Sequence, residues 1–151
     1  MYLTEANATP ETLRVIDLAT LEVKLQSQAS MEVAHIVVAY AVRPDANGAS
    51  RVLAQQAGPV DRARTALKEL YPSYEGRREQ TIIPFGRSVN AAFDRAVAIA
   101  YEEDGARSPV RSVHLLRAII EEQDPGAERI FRAFDVNRWA VQVLLKKTPG
   151  N

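Results

Sequence analysis

The sequence predicts an all-α protein made of two four-helix repeats, related by a pseudo-twofold axis and packed as one domain. The first observation is a repeated histidine segment, Ala34-His35-Ile36-Val37 and Val113-His114-Leu115-Leu116. The second is its context, because a helical apolar pattern precedes each copy and a glycine-alanine pair, Gly48-Ala49 or Gly126-Ala127, follows each. An internal repeat of this kind indicates a repeated structural unit. The third is that no convincing strand pattern is present, so about eight helices are expected.

The bulk composition fits a single domain over residues 1–151 and excludes several classes of partner. Hydrophobic residues make up 46% of the chain and charged residues 25%, which are globular values. The 19 basic and 19 acidic residues cancel, whereas nucleic acid or an anionic membrane surface requires a basic surplus. The absence of cysteine excludes disulfides, thiolate metal sites and cysteine nucleophiles, and it fits a reducing compartment.

No targeting or membrane segment is recognisable in the sequence. Residues 1–10 contain neither the basic stretch nor the apolar stretch of a secretory signal. The longest apolar run, residues 33–42, includes His35 and is too short to span a bilayer. A cytoplasmic location is therefore expected.

Repeat one is expected over about residues 8–70, with four helices that mostly start at a capping or proline signal. The four expected helices are Thr9-Pro10 to about Gln26, Met31 to Val42 with Ser30 as cap and Pro44 as stop, Asn47 or Gly48 to near Gly58, and Pro59-Val60-Asp61 through Leu70.

A linker is expected over about residues 71–84, where Pro72, Gly76 and Pro84 interrupt the chain and apolar periodicity is lost. Within it, Thr81-Ile82-Ile83 is a candidate for a short extended piece on the surface.

Repeat two is expected over about residues 85–147, again with four helices. They are a helix capped by Ser88 or a neighbour and ended by Gly105, Val110 to Glu122 capped by Ser108-Pro109, a helix starting at Asp124-Pro125, and a helix from Asp135-Val136-Asn137 to Lys146-Lys147. Such short helices are not stable alone, so the packing of the two repeats must hold them.

With these motifs in place, the chain resembles the Clp N-terminal domain family, the double four-helix module at the front of Clp-type AAA+ unfoldases. Where the family opens each repeat with Phe-Thr-Pro, this chain has Ala8-Thr9-Pro10 and Ile83-Pro84-Phe85-Gly86. The two histidine segments stand where the family has Thr-Glu-His-Leu-Leu, and Gly48-Ala49 and Gly126-Ala127 begin its next segment. The resemblance covers about residues 8 to 147.

This resemblance implies a protein- or peptide-binding module of the Clp protease-chaperone system, which recognises substrates or adaptors or regulates a Clp ATPase. In relatives, the starts of the first and fifth helices line a groove for peptides, adaptors or small cyclic peptides. The corresponding residues here are Phe85, Pro84, Ile16, Asp94 and Val97. For Phe85 a second interpretation stays open, namely a staple that packs on its own helix.

Two departures from the family pattern limit the implied function. Members that bind phosphoarginine use the glutamate before each histidine, but Ala34 and Val113 occupy those positions here. Since a guanidinium requires a carboxylate partner, phosphoarginine binding is not expected. The chain also lacks a G-x-x-x-x-G-K-[ST] loop, so neither ATPase activity nor a nucleotide cofactor is expected.

We expect neither a catalytic centre nor a metal site. His35 and His114 are the two histidines of the chain, and their equivalent placement in both repeats favours a structural role. Without cysteine or an H-E-x-x-H pattern, they are too few for a zinc site. Two alternatives remain, an assembly factor bound to a Clp proteolytic complex and an unrecognised small hydrolase. The sequence also leaves open whether the chain is free-standing or precedes an ATPase domain.

Overall fold

The computed structural model describes residues 2–76 and 81–148, and these residues form eight α-helices. The helices are α1 (Pro10–Leu25), α2 (Val33–Val42), α3 (Gly48–Gln56), α4 (Val60–Leu70), α5 (Arg87–Asp104), α6 (Ser112–Glu122), α7 (Pro125–Ala133) and α8 (Arg138–Lys146). Repeat one holds α1–α4 and repeat two holds α5–α8. The prediction of an all-α fold with two four-helix repeats is confirmed. Among the helices so described, none combines the length and apolar character that crossing a bilayer requires.

Most helix ends with a clear local signal lie where the sequence predicts them. Thr9 caps α1 by accepting the Thr12 N–H at 3.4 Å. Asn47, Asp124 and Asn137 cap α3, α7 and α8 in the same way, each through a side-chain oxygen. These caps satisfy N–H groups that have no partner within the helix.

The predicted starts of α2 and α6 are wrong by two residues in both repeats, and the cause is the same. Met31 is not helical, because its N–H donates to the Pro84 oxygen at 2.9 Å and its oxygen accepts the Gly86 N–H at 2.8 Å. Glu32, rather than Ser30, is therefore the N-cap of α2.

In repeat two, Val110 makes the equivalent contacts. Its N–H donates to the Asn7 oxygen at 2.8 Å, and its oxygen accepts the Thr9 N–H at 3.0 Å. Arg111, rather than Ser108-Pro109, is the N-cap of α6. In each repeat, one residue before the second helix therefore forms a short parallel β-bridge with the other repeat.

The last residue of the predicted linker, Pro84, takes part in the first of these contacts, because its oxygen accepts the Met31 N–H. Phe85, and not Thr81-Ile82-Ile83, makes the parallel bridge to Met31. Gly86 is the N-cap of α5, so Ser88 lies in the first helical turn instead of capping it. The segment Arg77-Arg78-Glu79-Gln80 lies outside the described residues.

The core is built around α2 and α6, the two helices that carry the histidines. Residues 33–40 of α2 and 112–120 of α6 are all buried. Each inner helix contacts helices of both repeats, since α2 packs on α1, α3, α4 and α7 while α6 packs on α5, α8, α1 and α3. The buried Tyr40 hydroxyl also donates to the Ser112 oxygen at 2.7 Å, which joins the two helices directly. The repeats therefore share one hydrophobic core.

Candidate peptide-binding surface

The paired bridges bring the starts of α1 and α5 to equivalent places on the molecule. Ala8 pairs with Val110 before α1, and Phe85 pairs with Met31 before α5. Ala8 is 5% exposed, whereas Phe85 is half-buried and presents part of its ring to solvent. At these two equivalent positions, repeat one therefore has the methyl group of Ala8 and repeat two has the aromatic ring of Phe85.

Phe85 is the middle member of an aromatic cluster that runs from the core to the surface. Its ring meets the fully buried Phe93 edge-on, with centroids 5.4 Å apart and an interplanar angle of 84°. On the other side it lies 5.7 Å from the ring of Tyr2, which is 68% exposed. Edge-to-face and tilted pairs at such distances are favourable geometries, so the outer rings are held in place on the buried one.

This geometry bears on the staple interpretation of Phe85. A hydrophobic staple joins the residue before the N-cap to the fourth residue of the helix, which here is Asn90, because Gly86 is the N-cap. The ring partner is instead Phe93, about one turn further along α5. Phe85 does pack on its own helix, but its ring also contacts that of Tyr2, which is exposed.

A groove of about 450 Å³ lies further along α5. Val97 and Tyr101 line it from the helix, and Asn7 and Val110 line it from the second parallel contact. Tyr101 is 63% exposed and Val97 is half-buried. Asp94, exposed on α5, precedes Val97 by three residues and therefore lies on the same face of the helix.

The N-terminal segment connects the aromatic cluster to this groove. Asn7 holds the segment folded, since its Oδ1 accepts the Thr4 N–H at 2.7 Å and its Nδ2 donates to the Tyr2 oxygen at 3.0 Å. Leu3, 8% exposed, anchors it to the core. We call the cluster and the groove together the α5 surface. It comprises Tyr2, Phe85, Asp94, Val97 and Tyr101.

The structure places the five sequence-predicted residues in two environments. Phe85, Asp94 and Val97 lie on the α5 surface, and Pro84 is exposed immediately before it. Ile16 is 8% exposed and belongs to the hydrophobic core, so little of its side chain faces solvent.

Sequence reasoning missed Tyr2 and Tyr101. Tyr101 follows Val97 by four residues, a spacing that puts both on one helix face and that the sequence could have revealed. Nothing local to Tyr2 signals its contact with Phe85, because the contact depends on how the N-terminal segment folds back.

Glu32 occupies the junction between α2 and α5 and is already used there. Its Oε2 accepts the Ser88 hydroxyl at 2.5 Å, and the same hydroxyl oxygen accepts the Val33 N–H at 3.1 Å. A Cβ on Gly86 would lie 2.0 Å from the Glu32 Oε1, so the carboxylate sits directly on the start of α5. A negative group there is favoured by the positive end of the helix. Glu32 is thus a structural anion rather than a replacement for the glutamates that Ala34 and Val113 lack.

Each histidine caps the N-terminus of its inner helix, His35 at α2 and His114 at α6. The His35 Nδ1 accepts the Glu32 N–H at 2.9 Å, and the His114 Nδ1 accepts the Arg111 N–H at 3.0 Å. His35 also contacts the Gln28 Oε1 through Nε2 at 2.6 Å. Burial lowers the pKa of His35 from 6.5 to about 4. Burial, with a smaller contribution from the charge of Arg111, also lowers the pKa of His114. Both rings are therefore neutral at pH 7.

The bonding of His114 argues against a metal site at this position. Glu103, Asp104 and His114 bring three possible ligand atoms within 4.8 Å of one another. However, a neutral imidazole whose Nδ1 accepts a hydrogen bond carries its proton on Nε2, the atom that faces the two carboxylates. That nitrogen has no lone pair to offer. Arg117 and Arg111 also pair with Glu103 and Asp104, which neutralises the carboxylates.

One family model matches most of the chain. The family model described as the Clp repeat (R) N-terminal domain matches residues 7–134. No curated protein sequence matches the chain.

Three solved structures are similar to the fold at low sequence identity. The N-terminal domain of the caseinolytic protease associated chaperone ClpD from Arabidopsis thaliana has a TM-score of 0.73 and 18% identity, with 93% of this chain and 96% of that chain covered. The Hsp104 N-terminal domain from Candida albicans has a TM-score of 0.70 and 15% identity, covering 92% and 89%. A structure from a malarial protein secretion system has a TM-score of 0.65 and 16% identity, covering 93% of each chain.

Proposed function

The chain belongs to the Clp repeat N-terminal domain family, and from that premise we propose that it is a protein-binding module of a Clp protease-chaperone system. Its role is to recognise a substrate or an adaptor, or to regulate a Clp ATPase, in the cytoplasm. The observation that carries the proposal is the α5 surface, where Phe85 and Tyr2 present aromatic rings to solvent beside an open groove.

The chemistry of the α5 surface suits peptide recognition. Tyr2 and Tyr101 each combine a large apolar ring with a polar hydroxyl, and aromatic residues of this kind dominate the binding energy of many interfaces. Val97 adds an aliphatic contact in the groove, one helix turn before Tyr101. Because the Phe85 ring packs on the buried Phe93, the Phe85 ring is pre-organised, which lowers the entropic cost of binding.

The proposed module works by binding and not by catalysis. The sequence contains no nucleotide-binding loop, so the module does not drive unfolding by itself. It would instead hold a partner for an ATPase that supplies the energy.

The test is binding of an unfolded client and of Clp components by three versions of the protein. Wild type, Phe85→Ala and the control Val143→Ala, an exposed residue on α8, are titrated against fluorescein-labelled β-casein by fluorescence anisotropy. The same three proteins are used as baits in lysate of the source organism. Loss of the Phe85 ring should weaken casein binding by about tenfold and reduce capture of a Clp ATPase, peptidase or adaptor, while the control changes neither.

Three results would contradict this proposal in different ways. Equal casein binding by wild type and Phe85→Ala would exclude the α5 surface as the binding site. Stable capture of a proteolytic ring without any affinity for casein would favour the assembly-factor alternative. A protein that captures no Clp component would have the family fold without the proposed function.

A further inference from the structure

A second groove, of about 700 Å³, is lined mostly by residues of repeat one and shares no lining residue with the groove on α5. It lies between the C-terminal half of α1, the end of α2 and the start of α4. Leu18, Leu21, Leu25, Val42 and Val60 are among the residues that line it. We call it the α1 groove. Leu21 is 59% exposed and Leu25 is 62% exposed, although their burial would be expected to stabilise the protein.

Repeat two provides an internal control for these leucines. Counting from the N-caps Thr9 and Gly86, the α1 positions of Leu18, Leu21 and Leu25 correspond to Arg95, Ala98 and Glu102 on α5. Counting from the two histidines, Val42 corresponds to Glu121.

The two repeats treat these positions in opposite ways. In repeat two, the Arg95 Nε donates to the Glu121 Oε2 at 2.8 Å, so an ion pair covers the equivalent surface. In repeat one, the matched Leu18 and Val42 are half-buried and pack against the core, while Leu21 and Leu25 remain largely exposed. The fold therefore does not require apolar residues at these positions. An exposed apolar patch that the fold does not require is typical of an interaction site.

The charges at the α1 groove determine what kind of partner fits it. Glu22, a carboxylate of the groove wall, is 4% exposed, and Arg64 donates to both of its oxygens at 3.2 and 2.6 Å. Arg43 lies at the edge with its side chain 60% exposed, and its ion pair with Asp45 spans 3.8 Å between two exposed groups. Such a pair contributes little and exchanges readily. An apolar wall with an available guanidinium at its edge complements an apolar segment that carries a carboxylate.

The walls also favour a helical partner over an extended one. They present aliphatic side chains of helices whose backbone groups are bonded within those helices. An extended peptide would bury N–H and C=O groups there without partners, which is costly. A helix satisfies its own backbone groups, and its residues at i, i+3 or i+4, and i+7 can fill the spaces between Leu18, Leu21 and Leu25, which have the same spacing.

We propose that the α1 groove binds an amphipathic helix of a protein partner, with aliphatic residues on one face and a carboxylate placed to meet Arg43. This interaction is separate from the α5 surface. It gives the module a second, independent contact, so that one protein can be held at the α5 surface while another is held at the α1 groove.

The probes for this proposal are two synthetic helices that differ in one charge type. Each is a capped, alanine-based peptide of about 14 residues, a length at which such helices become stable in water, with leucines at i, i+3 and i+7. One carries glutamates beside the leucines and the other carries lysines at the same positions. Binding to wild type, Leu25→Gln, Arg43→Gln, Phe85→Ala and the matched control Val143→Gln is measured by fluorescence anisotropy, and sedimentation velocity reports self-association.

The acidic helix should bind wild type more tightly than the basic helix by about tenfold, the effect of one favourable charge contact. Leu25→Gln should weaken the acidic helix by a similar factor, because an amide would be buried against leucine. Arg43→Gln should remove the preference between the two helices. Phe85→Ala and Val143→Gln should change nothing.

The proposal is overturned if the acidic helix fails to bind, if it binds no better than the basic helix, or if Leu25→Gln binds it as well as wild type. Self-association of wild type that Leu25→Gln abolishes would overturn it in another way, since a second copy of the chain would then be the occupant. Loss of binding with Phe85→Ala would place the helix on the α5 surface instead. These outcomes are independent of casein binding, so they do not repeat the test of the proposed function.

Discussion

The two repeats share a framework and differ in almost everything that faces solvent. Both place a histidine at the third position of the inner helix, where Nδ1 accepts the N–H of the N-cap residue. In both, one residue before the inner helix, Met31 or Val110, forms a parallel β-bridge with the other repeat. Hydrogen bonds inside the structure therefore fix the starts of both inner helices and the two parallel bridges between the repeats.

The differences lie outside this framework. Phe85 stands where repeat one has Ala8, and Leu25 stands where repeat two has Glu102. Each repeat consequently exposes apolar residues at a different place. Repeat one exposes Leu21 and Leu25 along the end of α1, whereas repeat two exposes Tyr101 on α5 and Trp139, Val143 and Leu144 on α8. Pseudo-symmetry therefore extends to the core and to the caps of the inner helices, while the exposed apolar residues differ between the repeats.

The largest expected difference between the repeats is in the contribution of the two histidines to stability. His35→Ala should lower the free energy of unfolding by about 3–4 kcal/mol, because it empties a buried site and removes the acceptor of the Glu32 N–H and the partner of Gln28. His114→Ala should cost about 2 kcal/mol, since its Nε2 faces Glu103 and Asp104, whose side chains are 38% and 35% exposed and accessible to water.

Urea unfolding followed by circular dichroism measures both variants. A conservative pair, His35→Asn and His114→Asn, separates the loss of the hydrogen bond from the loss of the ring. Equal losses for the two alanine variants would show that the two caps are energetically equivalent and would remove this asymmetry from the comparison.

These same caps show how far the sequence predicts the fold. Helix starts with a side-chain signal, at Thr9, Asn47, Asp124 and Asn137, are confirmed because the capping oxygen lies beside the N–H that it accepts. The starts of α2 and α6 are missed because Met31 is bonded to residues 84 and 86, and Val110 to residues 7 and 9. Contacts between segments so distant in sequence override local preference, and no local pattern reports them.

The sequence indicated only part of the proposed α5 surface. The resemblance indicated Phe85, Asp94 and Val97, which lie on the α5 surface, but it also indicated Ile16, which lies in the core. Tyr2 joins Phe85 through a fold of the N-terminal segment held by Asn7. The α1 groove became visible only when the exposures of the matched residues in the two repeats could be compared.

The next largest effect is a loss of stability in mild acid. The folded-state pKa of His35 is about 4, against 6.5 for an unperturbed histidine. The unfolded chain therefore binds a proton more readily, and lowering the pH favours unfolding. The contribution is fully present above pH 6.5 and is lost progressively towards pH 4. The difference of 6.5 − 4 = 2.5 pKa units corresponds to about 3 kcal/mol.

Burial lowers the pKa of His114 as well, so its titration acts in the same direction. The measurement is the free energy of unfolding in urea between pH 7.5 and pH 4 for wild type and for His35→Gln, which lacks the titrating ring. The variant should lose less stability over this range than wild type. Parallel curves would mean that His35 is not the source of the pH dependence of the unfolding free energy. They would also mean that burial does not dominate the pKa of its ring.

The smallest expected effect concerns the leucines of the α1 groove, and it separates a binding surface from a structural one. Leu25 is 62% exposed at the last residue of α1, and the matched position in repeat two holds the polar Glu102. Leu25→Gln should therefore change the free energy of unfolding by no more than about 0.5 kcal/mol, because glutamine has a similar helix propensity and little buried surface is lost. Val143→Gln, at an exposed position of α8, provides the matched control in the same urea experiment.

If Leu25→Gln destabilises the protein by 2 kcal/mol or more, the leucine stabilises the fold of repeat one, and its exposure would no longer support a partner at the groove. If stability is unchanged while binding of the acidic helix falls, the apolar surface of repeat one is retained for a contact that the fold itself does not need.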